Sequence, residues 1–137
     1  VEITGSDYTN VDLETILRES DVITVHTPLV EQTRNLIDAE ALAKMKPTAI
    51  IINTARGGIV NEQALASALN SGEIAGAGFD VLTSEPPVEG NVLLEANNVM
   101  ITPHSAWSTL QARQKLVDET IINIRSFFDG KPRNIVN

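Results

Sequence analysis

Short β-branched or apolar runs alternate along this chain with short segments of helical spacing. No other feature constrains the fold as tightly. Residues 21–27 form a β-branched run that stops at Pro28. Residues 49–53 are a continuous apolar run of the kind a parallel sheet buries. Residues 76–82 and 98–102 supply a third and a fourth strand. Between the first two, Asp38 is placed to cap a helix over 39–45, which Pro47 ends. Between the second and third, Asn61 caps a helix whose Ala64, Leu65, Ala68 and Leu69 follow helical spacing, with Gly72 where it should stop. Residues 12–19 read as another helix, turning Leu13, Ile16 and Leu17 inward. Near the end, Ser108 and Gln111 have capping-box spacing, and Leu110, Val117, Ile121, Ile124 and Phe128 form one helical stripe before Gly130 and Pro132. Strands alternating with helices predict a parallel α/β sheet with helices on its faces.

Composition narrows the function classes. With 137 residues and 42% hydrophobic content the chain can bury a sizeable core, and 20% charged residues is an ordinary globular share. Ten Lys and Arg stand against 18 Asp and Glu, a net charge of −8, which argues against a nucleic-acid or anionic-membrane partner. No apolar run approaches the ~20 residues of a membrane span. The chain has no Cys, so disulfides and thiolate chemistry within it are excluded and a reducing, cytoplasmic setting is the expectation. The two His are far apart without a spaced partner motif, so no metal is expected.

In parallel α/β sheets, ligands bind beyond the carboxyl ends of the strands. His26-Thr27-Pro28-Leu29 follows the first strand and Asn53-Thr54-Ala55-Arg56-Gly57-Gly58 the second. Asp80 ends the third, with Glu85-Pro86-Pro87 soon after, and Pro103-His104-Ser105-Ala106-Trp107 follows the fourth. A guanidinium fork suits a carboxylate beside a carbonyl, and an imidazole exchanges protons near neutrality. Taken singly, Arg56 reads equally well as a surface arginine, His104 as a structural histidine and Glu85 as a solvated loop carboxylate. His26 reads as a packed strand-end residue.

Together, these segments in this order resemble the D-isomer-specific 2-hydroxyacid dehydrogenases. The resemblance rests on His26 to Leu29 with Thr33, Asn53 to Gly58, Gly76-Ala77-Gly78-Phe79-Asp80-Val81 with Glu85-Pro86, and Thr102-Pro103-His104. It implies the C-terminal part of a Rossmann-type dinucleotide-binding domain, a parallel sheet with helices on both faces, over residues 1–107. Residues 108–137 would be a long helix and tail returning toward a substrate domain. It implies NAD or NADP as cofactor, a small 2-keto or 2-hydroxy acid as substrate, and a homodimer at full length. Arg56 would bind and activate the substrate. His104 would be the general acid of reduction and base of oxidation, and Glu85 would favour its protonated form. Asp80 would contact the nicotinamide end. Thr27, Pro28, Thr54, Ala55, Arg56, His104 and Ala106 would line the cofactor, and Arg56, His104 and Trp107 the substrate.

Ser105-Ala106-Trp107 replaces the glycine pair that many family members carry there. Ala106 and Trp107 resemble the glycerate dehydrogenase (hydroxypyruvate reductase) branch, which implies hydroxypyruvate or glyoxylate. A short phosphoglycerate dehydrogenase and a dinucleotide-sensing corepressor on the same scaffold are the competing readings. No G-x-G-x-x-G turn occurs between Val1 and Asn137. The chain thus reads as a piece starting partway through a fold, expected to be inactive alone, with residues 1–4 poorly paired.

Overall fold

The computed structural model describes residues 9–135; the expectation for residues 1–4 lies outside them. The chain divides into two compact units, Val1–Pro103 and His104–Asn137.

The first unit is a four-stranded parallel sheet in the order β1-β2-β3-β4, formed by Val22–Val25, Ile50–Asn53, Gly76–Phe79 and Val99–Ile101. The registers run Val22↔Ile50↔Gly76 and Val25↔Asn53↔Phe79, so β1, β2 and β3 end level. The Asp80 N–H extends the ladder by one bond, donating to the Asn53 carbonyl at 2.9 Å. The expected Rossmann-type parallel arrangement is therefore present, with each strand slightly shorter than its apolar run.

Helices α1 (Leu13–Glu19), α2 (Ala39–Ala43) and α3 (Glu62–Ser71) each follow a capping residue, and for α2 and α3 it is the one that the sequence places. Asp12, Asp38 and Asn61 accept from the N–H groups of Thr15, Ala41 and Ala64 at 2.8, 3.0 and 2.9 Å, satisfying donors a helix start leaves unpaired. Gly72 closes α3 in the left-handed region, φ 74°. The strand order never reverses, so connections of one hand gather on one face. There Ile23, Val25, Ile51 and Phe79 meet Leu42, Leu65 and Leu69 in a continuous core. The opposite face carries Val22, Ile50 and Met100, all exposed.

Two close approaches depend on missing side chains. On β3, a Cβ at Gly78 would lie 3.0 Å from Cδ1 of its register partner Ile52. In the loop after β2, a Cβ at Gly57 would lie 2.1 Å from the Leu82 carbonyl carbon and oxygen and 2.4 Å from the Thr83 nitrogen. Backbone packs on backbone at Gly57, so nothing flexible can give way.

The second unit holds α4, Leu110–Phe128. The expected Ser108 capping box is corrected by one residue: Thr109 is the cap, accepting from the Ala112 N–H at 3.2 Å. The Ser108 hydroxyl instead donates to the Ser105 carbonyl at 2.7 Å, in the turn before the helix. No α4 residue is buried, and Leu110, Val117, Ile121, Ile124 and Phe128 are exposed. Among the described residues no helix is long and apolar enough to cross a membrane.

Replacing Gly57 by Ala should lower stability by about 1–3 kcal/mol, the usual cost of overpacking. Urea unfolding should show a lower midpoint at unchanged slope, and an unchanged midpoint would contradict the packing described. A second expectation concerns pH. Lys44, the C-cap of α2, donates to Glu14 on α1 at 2.6 Å, and Arg18 donates to the same carboxylate at 2.8 Å. Lys44 first, then Arg18, hold the Glu14 carboxyl below its ordinary value. A carboxyl depressed on folding stabilises above its unfolded pKa, and that contribution is lost as pH falls through the folded one. Glu14→Gln should therefore flatten the fall of Tm below about pH 4.3, as read by thermal melts across that range.

Candidate functional site

The level ends of β1 and β2 open into a cleft of about 630 Å³ lined by His26, Thr27, Pro28, Leu29, Thr54, Ala55 and Arg56. That volume is in the range of small-molecule sites. Five of these residues, Thr27, Pro28, Thr54, Ala55 and Arg56, are among the candidates read from the sequence. Their side chains are short apart from Arg56, so the walls leave room for a flat ring. His26 also lines the cleft, its Nε2 2.9 Å from the Thr24 hydroxyl.

Each rim is fixed by a polar side chain. On the β1 side, the Thr33 hydroxyl donates to the Pro28 carbonyl at 2.7 Å and accepts from the Val30 N–H at 2.9 Å. On the β2 side, Asn53 is fully buried. Its amide accepts from the Ala55 N–H and donates to the Arg56 carbonyl, both at 3.0 Å. The loop is thus folded over the strand end, with Arg56 exposed on top. One guanidinium N–H is used on the Ala55 carbonyl at 2.7 Å.

The next loop carries Glu85. Its Oε1 accepts from the Leu82 N–H at 2.7 Å, and the peptide to Pro86 is cis. Leu82 is also the residue on which Gly57 packs. The loops bearing Arg56 and Glu85 are therefore in backbone contact. Asp80, at the end of β3, is 4% exposed and accepts a hydrogen bond from the Thr102 hydroxyl. It is not among the residues lining the cleft. Among the described residues no group of His, Cys, Asp and Glu is arranged to hold a metal.

His104, Ala106 and Trp107 belong to the second unit. His104 adopts φ 51°, in the left-handed region. Side chains there crowd the backbone, and such conformations persist only where the surroundings enforce them, often at functional sites. The Trp107 indole N–H donates to the His104 carbonyl at 3.0 Å, closing the turn on itself.

Sequence reasoning left three supporting residues without a role: Asn53, Thr33 and Glu62. Glu62, the first residue of α3, accepts from the Thr83 N–H and hydroxyl at 2.6 and 2.9 Å and from the Asn91 amide at 2.7 Å. An amide ending an apolar strand was the available signal for Asn53. Nothing local marks Glu62.

Comparison with known proteins identifies the family. The profile of the family described as D-isomer specific 2-hydroxyacid dehydrogenase, NAD binding domain, matches residues 2–106. A glycerate dehydrogenase of Methylorubrum extorquens is 56% identical over 92% of the chain and 41% of its own length. A hydroxypyruvate reductase of Blautia hydrogenotrophica is 44% identical over 93% of the chain and 39% of its own. The crystal structure of a D-isomer specific 2-hydroxyacid dehydrogenase from Lactobacillus delbrueckii ssp. bulgaricus, in its NAD complexed form, superposes with a TM-score of 0.79 at 38% identity, over 93% of this chain and 43% of that one. The chain thus spans about two fifths of the length of these relatives. On the profile match, the identities and the shared fold, it belongs to the D-isomer specific 2-hydroxyacid dehydrogenases, within their NAD-binding domain.

Proposed function

We propose that the protein bearing this chain is an NAD- or NADP-dependent oxidoreductase interconverting a small 2-keto acid and its D-2-hydroxy acid, with hydroxypyruvate and D-glycerate the favoured pair and glyoxylate a further substrate. The observation that carries this reading is Arg56 at the rim of a strand-end cleft walled by Thr27, Pro28, Thr54 and Ala55. The favoured pair follows from 56% identity to a glycerate dehydrogenase. Residues 1–107 are read as the C-terminal part of the dinucleotide domain, and a cytoplasmic homodimer is the proposed setting.

The cleft's small walls and hydroxyls fit the nicotinamide end of a dinucleotide, and when bound that group supplies or accepts the hydride. Thr27, Pro28, Thr54 and Ala55 would hold it; Ala106, and Asp80 through the ring's carboxamide, are further contacts that the family resemblance implies. The Arg56 guanidinium binds the substrate carboxylate and stabilises the negative charge that develops on the adjacent oxygen during reduction. The His104 imidazolium gives its proton to that oxygen, and in oxidation the neutral ring takes the proton back. Glu85 supplies the carboxylate that favours the charged ring. Trp107 bounds the substrate side.

The test is direct. The protein bearing this chain at the length of its relatives should oxidise NADH or NADPH with hydroxypyruvate, read as falling absorbance. No turnover with hydroxypyruvate, glyoxylate or phosphohydroxypyruvate would overturn the proposal. His104→Gln should lower kcat by ~10²–10⁴-fold, the usual worth of general acid catalysis. Arg56→Gln should raise KM for the keto acid as well as lower kcat, and an unchanged KM would contradict its assigned role. Reduction needs the protonated imidazole, so activity is lost on the alkaline side. Glu85→Gln removes the charge favouring that form and should move the alkaline limb to lower pH.

A further inference from the structure

Among the described residues, Glu62 holds an extensive set of side-chain hydrogen bonds that the proposed mechanism does not use. Its carboxylate is half-buried at the start of α3, and Asn61 caps that helix beside it. Oε1 takes the Thr83 N–H at 2.6 Å and the Thr83 hydroxyl at 2.9 Å, while Oε2 takes the Asn91 amide at 2.7 Å. These donors lie 21 and 29 residues away in sequence, at the two ends of the loop that carries Glu85. Asn91 is held in turn, since its Oδ1 accepts from the Leu93 N–H at 2.9 Å and the Leu93 side chain is fully buried. The carboxylate therefore ties both ends of that loop to the start of α3.

The same bonds bear on Arg56. Thr83 N lies where a Cβ of Gly57 would intrude, 2.4 Å from it, so the peptide that Glu62 grips is the one pressed against the Arg56 loop. Leu82, on the other side of that peptide, donates its N–H to Glu85. A single carboxylate thus fixes the peptide that touches the arginine's loop and follows the N–H bound by the glutamate. Hydrogen bonds to an ionised acceptor are stronger than neutral ones, which suits a clamp at a partly exposed position.

We propose that Glu62 is a positioning residue that sets the spacing of the Arg56 and Glu85 loops through the hydrogen bonds its carboxylate receives from Thr83 and Asn91. The proposal rests on the assignment of Arg56 and Glu85 to the reaction. The effect of Glu62 reaches the chemistry through the loop, not through a contact of its own with the reacting atoms.

The experiment compares Glu62→Ala and Glu62→Gln, each alone and combined with Glu85→Gln, in the protein bearing this chain at the length of its relatives. Misplacing a catalytic group by about 1 Å can cost ~10²-fold, so Glu62→Ala should lower kcat/KM by about ten- to a hundred-fold. It should also raise KM and move the alkaline limb of reduction to lower pH. Glu62→Gln keeps an oxygen for Thr83 but turns an NH₂ toward Asn91, so it should fall between wild type and Ala in every readout. With Glu85→Gln already present, Glu62→Ala should move the limb no further. A lower Tm with KM and the pH profile unchanged, or an equal limb shift in both backgrounds, would overturn the proposal. Amide hydrogen exchange supplies a readout independent of activity. Glu62→Ala should speed exchange at Thr83 and Leu82 by about ten-fold, in line with the loss of a charge-assisted bond. Should Glu85→Gln alone leave the pH profile of an active protein unchanged, the role assigned to Glu85 fails. The positioning proposal then stands or falls on KM and on exchange at Leu82: unchanged values overturn it.

Discussion

A fully buried amide cannot be left without hydrogen-bond partners, because desolvating it unpaired costs about 1–3 kcal/mol. Asn53 is that amide, placed by the parallel register at the end of the central strand β2, level with Val25 and Phe79. Its side chain is satisfied only if the next three residues fold back, and its carbonyl takes the Asp80 N–H from the end of the neighbouring strand. The direction in which Arg56 leaves the sheet follows from this satisfaction rule. So does the level floor of the cleft beside it.

From that point the site is assembled by backbone contact. Gly57 lets the Arg56 loop rest on the Leu82–Thr83 peptide, and the N–H groups of those two residues go to Glu85 and Glu62 respectively. Short bonds between backbone groups and fixed carboxylates transmit position better than long side chains in water do. An exposed arginine thus stands on a loop held by backbone contact and by the buried Asn53 amide. Rigid support of this kind is what catalytic preorganisation requires.

Much of this was legible in the sequence, for reasons that differ by residue. The caps Asp38 and Asn61 bond N–H groups three residues on, so local reading finds them. The strands announce themselves as β-branched runs, and the rule for parallel sheets then points to Thr27, Thr54 and Arg56 without any structure. At α4 the same logic met two adjacent hydroxyls, and spacing alone does not tell which one takes the cap: Thr109 accepts the helix N–H while Ser108 bonds the Ser105 carbonyl. What stayed illegible is tertiary. Glu62 meets its partners across 21 and 29 residues, and Gly57 meets a peptide bond, which has no residue type to read.

The glycine at position 78 has a bearing on how such a sheet can change over time. A Cβ there would come within 3.0 Å of Cδ1 of Ile52 across the ladder. That atom is the far end of a flexible side chain on the face that carries exposed Val22, Ile50 and Met100, so it can give by a few tenths of an ångström. An alanine at 78 is therefore tolerable at a small packing cost, which shortening residue 52 to valine would relieve. Lineages descending from this sequence can alter that pair in either order, whereas at Gly57, pressed on a peptide bond, no substitution of a neighbouring side chain opens the way.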